Sequence, residues 1–215
     1  MATLGIVTTV GTYEHFIPEW YESVRLLRRQ PDSIVIAAQN AANVTEMLDD
    51  PRVQVVQPDR PFQFGTYLNH AVERCKTDWV AWLGVDDLYR LHAFDDIDQV
   101  EADIRVFGMR ISDGREWLGH EFDRVRQLNP IPCGSPFRRW IWKKTPFQPQ
   151  LAPYEDWAFW VSAHAHGATI EPAACVHFDY RLHPDQIVPE HKTNAERIRL
   201  WAQQNFDGGV VDGDH

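Results

Sequence analysis

Short blocks of continuous apolar residues alternate with helix-spaced segments in the first half of the chain. The blocks that predict buried strands are Leu4–Val10, Ser33–Ala38, Val53–Val56 and 79–85. After the first block Pro18 marks a helix start, and residues 64–75 carry apolar side chains on one helical face. Strands that alternate with helices in this way build a mostly parallel sheet covered on both faces. We therefore expect an α/β chain with a Rossmann-like central sheet flanked by helices.

The second half of the chain is less regular. Its predicted elements are a strand at 103–110, a helix at 155–166 capped by Gly167, a strand at 174–180 and a helix at 194–204. Prolines and aromatic residues crowd the segment 127–150, which indicates a long loop that faces the substrate. No repeat or linker divides the chain, so we expect one domain over residues 1–205 and a flexible tail over residues 206–215.

Composition narrows the class of protein. With 215 residues, of which 44% are hydrophobic, the chain can bury one substantial core. No apolar run approaches the roughly 20 residues of a bilayer span, and the first residues have no leader pattern, so we expect no membrane span. Cys75, Cys133 and Cys175 are widely separated, which indicates free thiols and a cytoplasmic location. A net charge of -10 argues against nucleic-acid binding by the chain as a whole.

Two acidic pairs carry the candidate chemistry, and the first follows the fourth predicted strand. Asp86 and Asp87 come at the edge where parallel sheets bind their ligands. Adjacent carboxylates are costly there unless a cation offsets their repulsion, and oxygen ligands favour Mg²⁺ or Mn²⁺. The simpler alternative is that Asp87 caps a helix starting near Leu88 while Asp86 faces water.

The second pair, Glu155 and Asp156, opens the helix predicted at 155–166. Acidic residues are common in a first helical turn because they offset the helix dipole. The functional alternative is that one carboxylate acts as general base for an acceptor hydroxyl. His183 follows the last predicted strand and precedes a proline, and its position alone indicates a surface histidine.

The order of these motifs resembles the family 2 glycosyltransferases of GT-A fold. The resemblance runs from about Leu4 to Gln186 and rests on the segments GTYLNHA (65–71), LGVDD (83–87), YEDW (154–157) and YRLHP (180–184). They lie where the family carries an Arg-Asn-x-Gly helix, an Asp-x-Asp metal motif, a Glu-Asp-Trp segment and a Tyr-Arg-x-His-Pro signature. The resemblance implies a single GT-A-type domain that transfers a sugar from a nucleotide-diphosphate sugar to an acceptor hydroxyl. It also implies inversion at the anomeric carbon and a need for Mn²⁺ or Mg²⁺.

The resemblance assigns a role to each matching position. Asp86 would bind the metal ion together with Asp87 and His183, while Asp156 would be the catalytic base beside Glu155. The residues implied to bind the donor are Thr8, Val10, Gly11, Gln39, Asn40, Asn69 and Asp86. The aromatic residues available to stack on an acceptor are Trp140, Trp142 and Trp157. The sequence does not distinguish four classes of acceptor, namely a saccharide, a lipid-linked sugar, a protein and a modified nucleic acid. It does not specify the oligomeric state either.

Three positions depart from the family pattern. Ala37 and Ala38 stand where the second strand usually ends in an acidic pair, Leu68 replaces the usual Arg, and Gly84 replaces the first Asp of the metal motif. One alternative is therefore a non-catalytic module that binds a nucleotide sugar or a carbohydrate on the same fold. A nucleotidyltransferase is another, although residues 10–15 lack the Gly-rich basic loop that such enzymes need.

Overall fold

A mixed sheet runs through the centre of the molecule. The computed structural model describes residues 1–119, 122–184 and 191–207. The strands within these ranges are β1 (Leu4–Val10), β2 (Ser33–Ala38), β3 (Val53–Val56), β4 (Trp79–Trp82), β5 (Leu88–Tyr89), β6 (Ile104–Ile111), β7 (Glu116–Leu118), β8 (Phe137–Arg138) and β9 (Ile170–Tyr180).

Helices flank this sheet. They are α1 (Ile17–Arg25), α2 (Ala41–Glu46), α3 (Phe64–Arg74), α4 (Arg139–Lys144), α5 (Glu155–Ala165) and α6 (His191–Ala202). Short 3₁₀ turns lie at Glu14–Phe16, Ile97–Gln99, Phe122–Arg124 and Pro149–Leu151, and a π-helical turn at Gln203–Asp207 follows α6. Pro18 lies in the first turn of α1, where a missing N–H costs nothing.

The sheet brings the ends of six strands to one edge. Its order is β3-β2-β1-β4-β8-β6-β9-β5, with β7 beside β6. β1 pairs in parallel with β2 and β4, and β2 pairs in parallel with β3. Because β8 is antiparallel to both β4 and β6, β6 runs in the direction of β4, and β9 is parallel to β6. We call the edge where these six strands end the carboxyl edge.

Apolar residues are buried on both faces of the sheet, as continuous apolar strands predict. Every residue of β1 is buried. Val7 packs in a cluster with buried residues of α3 and α5, whereas Ile6 packs in a second cluster that includes Trp20 of α1. Successive residues of one strand thus pack in the cores on opposite faces of the sheet. The predicted α/β class with a mostly parallel, helix-flanked sheet is confirmed.

Several element predictions need correction. The fourth strand ends at Trp82 rather than at residue 85, because the chain then turns and the N–H of Asp87 donates to the carbonyl of Gly84 (3.1 Å). No helix begins near Leu88, since Leu88–Tyr89 pairs with β9, so the capping alternative for Asp87 is wrong. The segment 127–150 contains β8 and α4. Of the predicted tail, residues 206 and 207 end the π-helical turn and residues 208–215 lie outside the described residues.

Candidate active site

The carboxyl edge collects the candidate residues. The six strands end there at Val10, Ala38, Val56, Trp82, Ile111 and Tyr180. In open sheets of this type ligands bind outside the carboxyl ends of the strands, where loops and helix starts meet. Both acidic pairs and the histidine belong to segments near this edge.

A pocket of about 500 Å³ opens beyond β2 and β3. Its lining residues are Gln39, Gln57, Pro58, Asp59, Arg60, Pro61 and Tyr67. The hydroxyl of Tyr67 donates to the carbonyl of Arg60 (2.8 Å), which fixes the loop after β3 against α3. The side-chain oxygen of Gln57 accepts from the N–H of Ala41 (3.2 Å), which joins the same loop to the start of α2. The pocket therefore has anchored polar walls and a size that suits a nucleoside.

Asp86 and His183 form a close pair in the segments that follow β4 and β9. Oδ2 of Asp86 lies 3.1 Å from Nε2 of His183, and both side chains are largely shielded from solvent. The rings of Tyr13 and Phe16 pack on the imidazole with centroid distances of 5.5 and 5.4 Å. Gly84 leaves room for the carboxylate, because a Cβ at position 84 would collide with Oδ1 of Asp86.

Asp87 has a different environment from its neighbour. Its side chain is only 3% exposed, and Oδ1 accepts from the backbone N–H of Arg181 (2.8 Å). Burial, reinforced by the charge of Asp86, raises the pKa of the Asp87 carboxyl well above its usual range. The Arg181 guanidinium donates to the carbonyl of Asp86 and to the carboxylate of Glu19. Asp87 thus holds the turn after β4 against the segment after β9.

The donor atoms present fit a hard divalent cation in part. Carboxylate oxygen and imidazole nitrogen suit Mn²⁺, and neighbouring ligands of an octahedral ion with bonds of about 2.1 Å lie roughly 3 Å apart. The separation of 3.1 Å between Asp86 and His183 matches that spacing. Within residues 1–119, 122–184 and 191–207, no three His, Cys, Asp or Glu side chains gather as one metal-binding group. Asp86 and His183 therefore present ligand atoms at a suitable spacing, while Oδ1 of Asp87 accepts from Arg181, and the predicted set of three ligands stays a prediction.

Asp156 lies in the first turn of α5. Asn129 donates its side-chain N–H to Oδ2 of Asp156 (3.0 Å). Burial raises the pKa of the Asp156 carboxyl, while the backbone N–H of Trp157 and the bond from Asn129 act in the opposite direction. A carboxylate with a raised pKa and a fixed orientation is suited to accept a proton.

Three carboxylates of the two acidic pairs, those of Asp86, Asp87 and Asp156, influence the pKa of the same two side chains. Burial raises the pKa of Tyr180, and the charges of Asp87, Asp86 and Asp156 raise it further. Burial also raises the pKa of the Cys133 thiol, again with contributions from these three carboxylates. The charge of Asp156 thus reaches the side chains that Asp86 and Asp87 also influence.

No protein-family profile matches the sequence, and no curated protein sequence is similar to it. Solved structures do match. TarS 1-349 of S. aureus, in complex with UDP-GlcNAc, gives a TM-score of 0.73 at 16% identity, over 95% of this chain and 67% of that chain. The mannosyltransferase PcManGT from Pyrobaculum calidifontis, in complex with GDP-Man and Mn²⁺, gives a TM-score of 0.63 at 14% identity, over 93% of this chain and 61% of that chain. Against a longer TarS structure, the chain covers 46% of that protein.

The chain has a GT-A fold. Its carboxyl edge, where the pocket lies, corresponds to the edge at which open sheets of this type bind ligands. No helix in the described part of the domain combines the length and the apolar character that a bilayer span requires.

Several residues predicted to bind the donor have structural contacts in this GT-A domain. The hydroxyl of buried Thr8 donates to the carbonyl of Leu83 (2.6 Å), and the side chain of Val10 is fully buried. Asn40 caps α2 by accepting from the N–H of Asn43 (3.5 Å). Of the predicted donor residues, Gln39 is the one that lines the described pocket.

Asn69 joins α3 to the segment after α4. Its side-chain oxygen accepts from the indole of Trp142 (2.8 Å) and from the N–H of Phe147 (3.0 Å), and its N–H donates to the carbonyl of Phe147 (2.9 Å). These bonds use the side-chain oxygen and one of the two side-chain N–H groups of Asn69, and its role in donor binding stays a prediction. Gly11 packs under Phe62, whose ring a Cβ at position 11 would approach to 3.1 Å.

The three tryptophans predicted to contact the acceptor all donate their indole N–H within the domain. Trp140 donates to Asp103 (2.8 Å), Trp142 to Asn69, and Trp157 to the carbonyl of Val125. Trp157 is also buried at 4% exposure. These contacts tie α4 to α3 and to the residue before β6, and α5 to the residue after the turn Phe122–Arg124. They leave the acceptor role of the three tryptophans a prediction.

Glu155 faces away from Asp156 and toward α3. Its side chain is buried, and its carboxylate lies against the start of α3, where the N–H of Gly65 favours the charged form. Burial raises the pKa of Glu155 to about 7. A Cβ at Gly65 would lie 3.0 Å from Cγ of Glu155, so the two helix starts are in direct contact. Glu155 therefore joins α5 to α3.

Sequence reasoning missed residues that the fold brings to the site. Asn129 comes from the irregular segment before β8, and no local pattern marks it as a partner of Asp156. Asp59, Arg60 and Tyr67 line the pocket because β3 ends at the carboxyl edge. The predicted parallel sheet could have pointed to Asp59 and Arg60, since it places the loop after β3 at the edge where such sheets bind ligands.

Proposed function

We propose that this chain is a glycosyltransferase that moves a sugar from a nucleotide-diphosphate sugar to an acceptor hydroxyl, with inversion at the anomeric carbon. The observation that carries the proposal is the pairing of Asp86 with His183 at the carboxyl edge of a GT-A fold. Asp156 supports it, because its charge acts on the same Tyr180 and Cys133 side chains as the charge of Asp86. TarS with UDP-GlcNAc and PcManGT with GDP-Man support a nucleotide-sugar donor. The free thiols of Cys75 and Cys133 support a cytoplasmic location.

The donor nucleoside is assigned to the pocket beyond β2 and β3. Gln39 presents an amide, which can both donate to and accept from the edge of a base. Arg60 adds a cation and Asp59 an acceptor to the same walls. The diphosphate then extends from this pocket toward Asp86.

Asp86 and His183 are the residues that would hold Mn²⁺ or Mg²⁺. When bound, such an ion would supply positive charge that offsets the negative charge developing on the diphosphate. The chain prepares this site in advance, because Tyr13 and Phe16 fix the imidazole and Gly84 leaves space for the carboxylate.

Asp156 is assigned the role of general base. Its carboxylate takes the proton of the acceptor hydroxyl as the oxygen attacks the anomeric carbon and the sugar-phosphate bond breaks. Asn129 holds Oδ2, so the carboxylate keeps one orientation. Glu155 supports this role by fixing the start of α5 against Gly65, which makes it a positioning residue.

Donor binding and donor hydrolysis test the proposal together. UDP-GlcNAc and GDP-Man are titrated calorimetrically with and without Mn²⁺, on the wild type and on the variants Asp86→Ala and Asp156→Asn. We expect Asp86→Ala to lose the metal-dependent part of binding. Asp156→Asn should keep binding and lose about 100-fold or more of turnover. The configuration of the released sugar, followed by NMR, reports inversion or retention.

Glu22→Gln is the matched control, because Glu22 is exposed and its carboxylate pairs with Arg25 on the surface of α1. It should behave as the wild type. Donor binding that ignores both Mn²⁺ and Asp156, with no hydrolysis, would instead identify a non-catalytic nucleotide-sugar module. Failure to bind any nucleotide sugar would reject the proposal.

A further inference from the structure

A second pocket, of about 390 Å³, opens at the other end of the carboxyl edge. Its walls are the carboxyl ends of β6 and β9 and the turn after β6, with lining residues Arg110, Ile111, Ser112, Gly114, Asp179, Tyr180 and Arg181. The rule that places ligands at the carboxyl ends of parallel strands applies here as it does at β2 and β3. The proposed donor site leaves this pocket without a function.

Two arginines share one carboxylate at this pocket. Oδ1 of Asp179 accepts from Arg90 (2.9 Å) and from Arg110 (2.8 Å). Two guanidinium groups thus face one negative charge, which leaves these three side chains with a net positive charge. Arg181 also lines the pocket, but its own charge is paired with Glu19.

Arg110 has bonding capacity left over. Only its Nε contacts Asp179, and within the described part of the chain its two terminal nitrogens have no hydrogen-bond partner. Its side chain is 48% exposed, so the planar end of the guanidinium is accessible. A guanidinium with two free donors matches the paired oxygens of a phosphate or a carboxylate.

The wall of this pocket is joined directly to the first acidic pair. The backbone N–H of Arg181 donates to Asp87, and its guanidinium donates to the carbonyl of Asp86. Ser112 contributes to the same wall, since its hydroxyl oxygen accepts from the N–H of Leu182 (3.1 Å), the residue before His183. A molecule in this pocket therefore lies beside the residues assigned to the donor diphosphate, on the side opposite the nucleoside pocket.

We propose that this pocket binds an anionic group of the acceptor, a phosphate or a carboxylate, through Arg110. The acceptor assignment rests on the glycosyltransferase function proposed above, whereas the anion site rests on the arginines themselves. The acceptor hydroxyl then approaches the sugar from the β9 side of the site, and neutral saccharides lack the contact that Arg110 provides.

Inorganic phosphate is the probe, titrated in the presence of EDTA and followed by ³¹P NMR and by thermal shift. The variants are Arg110→Gln, Arg110→Lys and Arg60→Gln, with Arg115→Gln as matched control. Arg115 lies on the same turn but pairs with Asp113 in solvent. We expect Arg110→Gln to weaken phosphate binding at least fivefold, Arg110→Lys to weaken it less, and Arg115→Gln to leave it unchanged. Arg60→Gln separates this site from the nucleoside pocket and should also leave it unchanged.

Several results would overturn the proposal. The first is a wild type that binds no phosphate at tens of millimolar, and the second is an Arg110→Gln variant that binds it as the wild type does. Loss of binding in Arg60→Gln alone would move the anion to the nucleoside pocket. Hydrolysis of a nucleotide sugar by the wild type is measured separately and decides the proposed function. Phosphate binding at Arg110 in a chain that hydrolyses no donor would overturn the assignment to an acceptor.

Discussion

The carboxylate of Asp86 lies over Gly84, in the space that a side chain at position 84 would fill. The sequence motif lacks its first acid at this position, and the structure uses the freed space to bring Asp86 to His183. The glycine is therefore part of the geometry of the pair.

Gly84→Ala should weaken Mn²⁺ binding by about tenfold or more, because the new Cβ displaces the carboxylate of Asp86 from His183. The melting temperature should change little, since the displaced group is the end of a side chain that is 22% exposed. Calorimetric titration of Mn²⁺ measures the effect. In an Asp86→Ala background the same substitution should have no further effect on affinity, and an additional loss there would contradict the explanation.

Asp87→Ala and Asp87→Asn should differ in stability. Alanine removes the acceptor of the Arg181 N–H and leaves that buried donor unpaired, at a cost of about 1–3 kcal/mol in the free energy of unfolding. Asparagine keeps an acceptor oxygen and removes a buried charge beside Asp86, so its cost should be smaller. Urea unfolding of both variants at pH 7 tests this ordering, and equal losses would contradict it.

Asn129→Ala should move the acidic limb of the pH profile of kcat/KM to higher pH. The N–H of Asn129 stabilises the charged form of Asp156 and so lowers its pKa against the effect of burial. Without this bond the pKa rises further, and the general base is protonated over a wider acidic range. Asn43→Ala, on exposed α2, is the control. A profile that keeps its shape while the whole curve falls would assign Asn129 to binding instead.

Glu155→Gln should make the free energy of unfolding less dependent on pH. In the wild type we expect this free energy to fall as the pH rises. The pKa of Glu155 lies at about 7 in the folded chain, against 4.5 for the ordinary group, so the folded state keeps a proton that the unfolded state has released. The free energy of unfolding therefore falls between pH 4.5 and 7, by about 3 kcal/mol at most. Glutamine stays neutral over this whole pH range and keeps the size of the side chain that packs on Gly65. Urea unfolding at pH 5 and pH 8 should show a smaller difference for the variant than for the wild type, and an equal difference would contradict the assignment.

Much of the fold follows from local patterns. β1 and β2 have the predicted bounds because buried parallel strands are almost continuous apolar runs, and the sequence ends each run sharply. β3 also has the predicted bounds, although it is only partly buried and contains the exposed Gln54. α3 and α5 follow equally well from helical spacing. β5 and β7 escape such reasoning, since strands of two and three residues are defined by their partners in β9 and β6.

The candidate site is harder to predict from the sequence than the fold, because its contacts join residues that are far apart in the chain. Spacing identifies Asp86 and Asp156 as candidates, but the bond from His183 crosses 97 residues and no local rule predicts it. Asn69 matches a family motif by position, yet its polar atoms bind Trp142 and Phe147. Whether a polar side chain faces a ligand or another helix depends on tertiary contacts, which a single sequence does not specify.

The contacts of Arg181 connect segments that are far apart in the sequence. Its bond to Glu19 joins residues 162 positions apart, and its contacts with Asp86 and Asp87 span 95 and 94 positions. Contacts of such long range form late, after the parallel strands and their helices have closed their own shorter loops. During synthesis, much of the sheet can assemble while this segment is still inside the ribosome, but Asp86 and Asp87 lack these bonds until Arg181 emerges. A chain interrupted before that point would also lack His183 and the pair that it forms with Asp86, so under the proposed function such a copy could not hold the metal ion.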